Sequence, residues 1–212
     1  GTVPQAPPGL FVQLWGRGAR FGYYQVGGGR TYWFAVLNCA DGRDDPAARG
    51  RLLRERFAGW AAPVGALLAL TGAQRRDISR ARVFDRDPER VWGVGPVTLL
   101  GDAIHPMTFN IGQGACQAVE DAVALAAEVG AGGPLPAALR RYEEARMRPT
   151  AQMVRRARRI GQWGRWESRL GCAVRDLALR PLLAGPAQRQ HRRVLTGGPA
   201  AGPAAGARLS RR

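Results

Sequence analysis

Apolar and polar positions follow two different periods along this chain. From Leu10 to Asn38, aromatic and β-branched runs alternate with glycine-bearing breaks. Leu10–Trp15 is followed by Gly16-Arg17-Gly18, Ala19–Val26 by Gly27-Gly28-Gly29, and Arg30–Asn38 closes the series. Such runs predict three strands joined as an antiparallel meander. A meander needs one covered face. Phe21, Tyr23, Tyr24, Tyr32, Trp33 and Phe34 supply it, or line a ligand pocket. Pro46 suits the first turn of a helix, and Leu52, Leu53, Arg56 and Phe57 carry that helix to about Gly59. Pro63–Leu70 predicts a second short helix ending near Gly72, and Ile78–Phe84 a strand. Ala40-Asp41-Gly42-Arg43, before Asp44-Asp45-Pro46, reads as a turn.

The period lengthens after residue 97. Val97–Leu100 is a short continuous apolar run, as in a strand buried on both faces. Gly101-Asp102 ends it, and a loop leads to Gly112-Gln113-Gly114, where a helix opens. Ala115, Ala118, Val119, Ala122, Leu125, Ala126 and Val129 form one helical stripe, small enough to lie close against a sheet. A second helix begins with Leu135, Leu139 and Tyr142, and Pro149 predicts an interruption. Met153, Val154, Ala157, Ile160, Gly161 and Gly164 then share one face, with Arg155, Arg156, Arg158 and Arg159 directed elsewhere. Ser168–Leu183 predicts a last helix, and from Gly185 the absence of any periodic stripe predicts disorder. Three regions follow: residues 1–96 with the sheet and short helices, 97–165 with the strand-loop-helix and its successor, and 166–212 with a helix and an Arg-rich tail.

Charge changes the picture only at the far end. The chain has 212 residues and a formal charge of +16, with every basic residue an arginine. Residues 140–212 hold 18 arginines against 4 acids. This end either binds nucleic acid or an anionic membrane non-specifically, or is a solvated helical face plus a loose tail. Cys39, Cys116 and Cys172 are distant from one another and predict reduced thiols in a cytoplasmic protein, with neither a disulfide framework nor a zinc site. His105 and His191 are the only histidines, so no metal site is expected. The longest mostly apolar segment, Ala61–Ala73, is too short for a membrane span, which takes about 20 residues. No signal peptide is apparent.

The chemistry concentrates around Gly101. A helix N-terminus offers unpaired N–H groups and a partial charge of roughly +0.5. Glycine there lets a ligand approach the backbone, and a carboxylate at the strand end accepts hydrogen bonds from sugar-like hydroxyls. These features suit a polyhydroxylated, partly anionic cofactor, although many ordinary strand-loop-helix units share them. The complete string is more specific: G-D-A-I-H-P-M-x-x-N-x-G-Q-G-A-C-Q-A-x-E-D-A, from Gly101 to Ala122. It resembles the second flavin-binding motif of the single-component FAD-dependent aromatic hydroxylases, which include p-hydroxybenzoate, salicylate and urate hydroxylases and the zeaxanthin epoxidases. Asp85-Arg86-Asp87-Pro88, Trp92-Gly93 and Tyr142-Glu143-x-x-Arg146-x-x-Pro149 also resemble runs of that family, so the likeness covers roughly Phe11 to Gly164.

The resemblance implies an α+β chain with a partial p-hydroxybenzoate-hydroxylase-like flavoprotein fold. An antiparallel substrate-domain sheet precedes a buried strand, a flavin-facing helix and C-terminal helices. It implies that Asp102 binds the ribitol of FAD and that Gly101, Pro106, Phe109, Gly112, Gln113, Gly114, Ala115 and Cys116 border the flavin. Phe109 departs from the family, which usually has proline there. Arg20 and Tyr32 resemble, by spacing, an Arg and a Tyr that face flavin and substrate in urate hydroxylases. No side chain need act as a nucleophile, so no catalytic residue is assigned. The implied reaction is hydroxylation or epoxidation of an aromatic or isoprenoid small molecule with O2, FAD and NAD(P)H. The family's G-x-G-x-x-G unit for the ADP half of FAD does not occur here. The chain therefore reads as the C-terminal portion of such an enzyme, completed by a separate N-terminal half or left as a truncated, inactive remnant. The alternative is a non-catalytic interaction module whose Arg-rich end binds acidic partners.

Overall fold

A computed structural model of the chain describes residues 9–38, 44–73 and 78–183. The predicted turn at residues 40–43, Cys39, His191 and the tail after residue 183 lie outside the described residues. Two compact units are distinguished, Gly1–Glu167 and Ser168–Arg212. In the second, the described element is helix α5 (Arg169–Leu183). No helix among the described residues is long and apolar enough to cross a membrane.

The first unit opens with the meander: β1 (Val12–Trp15), β2 (Ala19–Gly27) and β3 (Arg30–Leu37), antiparallel in the order β1-β2-β3. Val12 pairs with Tyr23, and Tyr23 with Trp33. Side chains alternate across the sheet, and this register separates two faces. One carries Ala19, Phe21, Tyr23 and Trp33 into a core with Leu53 and Phe57 of α1 (Arg49–Arg56 and the residue after it) and Val64, Leu67 and Leu68 of α2 (Val64–Ala73). Phe21 is fully buried and stacks on Trp33 at 5.3 Å; burial of such a side chain contributes roughly 1.5–3 kcal/mol. Trp33 Nε1 donates to Thr71 Oγ1 at 3.0 Å, so its polar group is satisfied inside that core. The other face carries Arg20, Tyr24, Tyr32 and Phe34.

Helix α1 begins three residues after the predicted start at Pro46 because Asp45, not the proline, organises the entry: its carboxylate accepts the Ala47 amide at 3.0 Å. Ile78–Phe84, predicted as a strand, forms no regular element, and Val83 and Phe84 are exposed. No neighbouring strand among the described residues offers it a ladder.

The stretch predicted as a strand buried on both faces is different. Only Val97–Thr98 (β5) is strand, paired antiparallel with Gly93–Val94 (β4), and Val97, Leu99 and Leu100 are exposed. Helix α3 (Gly114–Gly130) forms as predicted, but its apolar stripe is not its buried side. Of that stripe Val119 is 64% and Val129 46% exposed, and Val123 beside it 66%, while Gln117 and Asp121 are buried. The physical reason is the neighbour. On one side α3 meets α4 (Leu135–Gly164), whose Arg146 requires polar partners, and on the other no sheet among the described residues covers the alanines and valines.

Helix α4 runs through Pro149 without the predicted break. Thr150 Oγ1 donates to the Arg146 carbonyl at 2.8 Å in the same turn, and both halves of the helix bury side chains on either side of the proline. Its first half joins a second core of Trp92, Ile104 and Tyr142. Its second half buries Val154, Ala157, Gly161 and Gly164, as the stripe predicts. Its end returns to the sheet, where Gly18 N donates to the Trp166 carbonyl at 2.8 Å.

Candidate functional site

Residues 101–113 run from the second core, which Ile104 enters, to the outer face of the sheet, where Phe109 meets Phe34. Gly101 begins a single 3-10 turn (Gly101–Ala103) with φ of +60°. A side chain there would be strained in that conformation, and its Cβ would come within 3.1 Å of Ala118 Cβ. Glycine thus lets the turn rest directly on α3. A second 3-10 turn (Phe109–Ile111) ends at Gly112, left-handed at φ +64°, which redirects the chain into α3.

Beneath these turns, Asp121 holds the first at both ends. Its Oδ2 accepts the Gly101 amide at 2.9 Å and lies 2.5 Å from His105 Nε2. Its Oδ1 accepts from Arg146 Nε at 2.7 Å. Arg146 also reaches Glu120 at 2.8 Å and Gln117 Oε1 at 2.9 Å. Burial pushes the Asp121 carboxyl up, but the Gly101, Arg146 and His105 hydrogen bonds outweigh it and hold the group below the usual carboxylate range. Arg146 is held above its ordinary value: burial opposes its charge, and Asp121 and Glu120 more than compensate. Tyr142, next to this cluster, is pushed up by burial and then by the Asp121 charge. Arg86 donates to the Ala103 and Ile104 carbonyls at 3.0 Å each, which ties the Asp85–Pro88 segment to the same turn.

Asp102, between the two anchored ends, is exposed. Its Oδ1 lies 3.9 Å from where a Cβ on Gly114 would stand, at the opening of α3. The α3 N-cap, Gln113, makes no side-chain capping bond, and the first turn contains no acid. Ala115 and Cys116 are exposed, and Gly112 is open on its Cβ side. The structure therefore brings Asp102, Gly112, Gln113, Gly114, Ala115 and Cys116 to one surface. A carboxylate stands there beside helix amides that no side chain caps. That donor and acceptor set fits a flavin: the carboxylate suits ribitol hydroxyls, and the amides suit a ring carbonyl that gathers negative charge. Gly101 lies underneath as support, and Pro106 is half-buried in the loop.

Arg20 and Tyr32 stand apart. Arg20 is 3% exposed; its guanidinium donates to Asn110 Oδ1 and lies over the Trp15 ring at 5.1 Å. A Cβ on Gly164 would come within 2.7 Å of Arg20 Nε, so α4 reaches the arginine only because it has glycine there. Asn110 in turn donates to Thr108 Oγ1 at 2.7 Å and to the Ala157 carbonyl at 3.0 Å. Tyr32 is exposed, tilted against Tyr24 at 5.1 Å. Phe109 leaves the loop edge-on to Phe34 at 5.7 Å. Sequence reasoning did not assign roles to Asp121, Arg146 or Asn110. Glu120-Asp121 inside an alanine-rich stripe was the available signal, since two adjacent acids interrupt an otherwise apolar helix.

Known proteins align with this region. Residues 62–157 match the family described as FAD binding domain. Over 184 residues the chain is 45% identical to aurachin C monooxygenase/isomerase of Stigmatella aurantiaca, covering 86% of this chain and 47% of that protein. It is 41% identical over 132 residues to the chloroplastic zeaxanthin epoxidase of Solanum lycopersicum, covering 57% of this chain and 19% of that one. Among solved structures, Klebsiella pneumoniae HpxO complexed with FAD and uric acid superposes with a TM-score of 0.76 at 31% identity, over 91% of this chain and 49% of HpxO. The chain thus spans about half the length of these relatives, or less.

Proposed function

Because this chain belongs to the FAD-dependent aromatic hydroxylase and monooxygenase family, we propose that it forms the flavin- and substrate-facing part of an enzyme that hydroxylates or epoxidises a ring or alkene substrate with O2 and NAD(P)H. The observation that carries this reading is the exposed Asp102 carboxylate beside the uncapped opening of α3. Bound FAD would supply electron transfer from NADH or NADPH and oxygen activation.

The chain's own residues supply binding, orientation and shielding. Asp102 accepts hydrogen bonds from the ribitol hydroxyls. The amides at Gly114, Ala115 and Cys116 face the pyrimidine side of the ring and favour negative charge there. Gly101, Gly112 and Gln113 give the backbone its approach. Pro106 and Phe109 border the ring's reactive side, where they exclude water. Asp121 and Arg146 work underneath, fixing the turn that carries Asp102. The substrate is a small aromatic or isoprenoid molecule, as the relatives' printed names suggest. Arg20 acts at the substrate side by anchoring the loop through Asn110, and Tyr32 meets the substrate directly.

A second, nucleotide-binding half completes the site. The exposed face of α3 around Val119 and Val123, with Val97, Leu99 and Leu100 nearby in sequence to its support, is apolar surface of the kind another segment covers. Cys116 is an exposed free thiol, which suits a reducing compartment such as the cytoplasm.

The test is to produce this chain alone and fused to the half of the Stigmatella aurantiaca relative that it does not cover. The fusion is expected to purify yellow with one flavin per chain, and the chain alone with little flavin. A correctly folded fusion that neither retains FAD nor quenches its fluorescence on titration contradicts the reading.

A further inference from the structure

Helix α5 carries two opposed faces. Ser168 starts it: its Oγ accepts the Gly171 amide at 3.2 Å and its carbonyl accepts the Cys172 amide at 2.9 Å. The serine thus serves amides that no earlier turn can bond. At about 100° per residue, Cys172 and Arg175 fall on one side of the helix and Leu170, Val174 and Leu177 on the other. Cys172 and Arg175 are buried, whereas Leu170, Val174 and Leu177 are 75%, 54% and 68% exposed. Ala173 and Ala178, on either side of this stripe, are exposed as well. A surface helix ordinarily turns its charges to solvent and its apolar stripe to a core. In α5 the stripe itself faces outward, and by the same spacing Arg169 and Asp176 lie on one flank.

The charge around the stripe decides what can cover it. From Ser168 onward the chain holds nine arginines and a single acid, Asp176. That acid already accepts from Arg175 Nε at 2.8 Å. A second copy of the chain would set one strongly cationic segment against another, and the repulsion opposes the apolar contact. A nucleic acid would pair with the arginines and leave the leucines in water. An anionic lipid surface satisfies both: its headgroup phosphates attract the arginines, and its acyl boundary receives the stripe. Helix α5 has 15 residues and so a length of about 22 Å, short of the roughly 30 Å of hydrocarbon that a spanning helix crosses. It can lie on a bilayer and cannot pass through one.

We propose that α5 and the arginine-rich sequence after it form a docking element for an anionic membrane surface, with Leu170, Val174 and Leu177 as the inserted face. The proposal is independent of the flavin reading above. The chain is mixed with vesicles of phosphatidylcholine alone and of phosphatidylcholine with phosphatidylglycerol, and binding is read by co-sedimentation. Binding to the anionic vesicles is expected to be at least tenfold tighter, and to weaken with added salt. Leu170→Ser combined with Leu177→Ser removes apolar surface and changes no charge; it should weaken that binding at least tenfold. Both positions are exposed, and circular dichroism checks that the double variant keeps the fold. The same measurements are made on the fused protein described above, where binding should persist. Equal binding to both vesicles, no binding, or indifference to the double variant overturns the proposal. Loss of vesicle binding in the fused protein also overturns it, since the stripe would then belong to the second half. So does a dimer of the chain, or a complex with duplex DNA, that the double variant dissociates.

Discussion

His105 and Asp121 lie 2.5 Å apart, Nε2 to Oδ2, with both side chains withdrawn from solvent. The same Oδ2 takes the Gly101 amide, so one buried carboxylate sets both ends of the turn that presents Asp102. Asp121→Ala should destabilise the protein by about 3–5 kcal/mol, since it leaves the Arg146 guanidinium without its buried counter-charge and His105 and the Gly101 amide without their hydrogen-bond partner. Urea unfolding measures this, and a loss under 1 kcal/mol would remove the clamp. The pH dependence has a definite sign. The carboxyl is lower in the folded chain than unfolded, so its contribution is complete above the unfolded value of about 3.9 and is lost as pH falls through the folded value. The stability gap between the native chain and Asp121→Asn should therefore narrow on acidification below about pH 4.

Asp102 predicts the opposite behaviour. It is exposed, so Asp102→Ala should change folding stability by no more than about 0.5 kcal/mol. In the fused protein the same change should weaken FAD binding by about 1–3 kcal/mol, the cost of removing a hydrogen-bond partner. Fluorescence titration with FAD reads the second number. Unchanged affinity would take Asp102 out of the site.

Val119 and Val123 face solvent on the side of α3 away from Gln117 and Asp121. Val119→Glu should be silent in the chain by itself, with the midpoint of thermal unfolding unmoved. In the fused protein it should lower the unfolding temperature and the flavin content together, because a charge would be buried between the two halves. Equal behaviour in both contexts would mean that this face stays open.

Half of the arginines of α4 are committed to ion pairs within the fold, and Arg148, Arg155, Arg156 and Arg159 are exposed. Arg140 pairs with Glu143 at 2.7 Å, Arg141 with Glu128 at 2.7 Å, Arg146 with Asp121, and Arg158 with Asp85 at 2.7 Å and with Asp87. Nucleic-acid binding by the chain should accordingly be weak and independent of sequence, and should fall steeply between 50 and about 200 mM salt as counterion release is lost. Electrophoretic retardation of unrelated duplexes checks this; a complex with one preferred sequence that persists in high salt would favour the interaction-module alternative.

Much of the local structure was written in the chain. Three strands broken at Gly16–Gly18 and Gly27–Gly29 follow from period-2 runs and glycine turns. The start of α3 after Gly112-Gln113-Gly114 and the inward face of α4 at Val154, Ala157, Gly161 and Gly164 follow from helical spacing and small residues. The string from Gly101 to Ala122 carried the family resemblance, because its glycines and carboxylates serve backbone conformation and ligand chemistry that few other residues provide.

Tertiary structure decided the rest. Periodicity marks a stripe as apolar without saying whether anything covers it, so Val97, Val119 and Val129 read as buried and stand exposed. Pro149 reads as a break, yet α4 continues because both halves of the helix are packed. Asp121 and Arg146 are 25 positions apart and show no partnership in sequence; only the packing of α3 on α4 brings them to 2.7 Å and excludes water from the pair. Arg20 looked available to a substrate, and Gly164 and Asn110, far along the chain, enclose it. The sequence by itself determined which groups could meet a flavin. The fold determined which of them face outward, since exposure is a property of what packs against a residue and not of the residue.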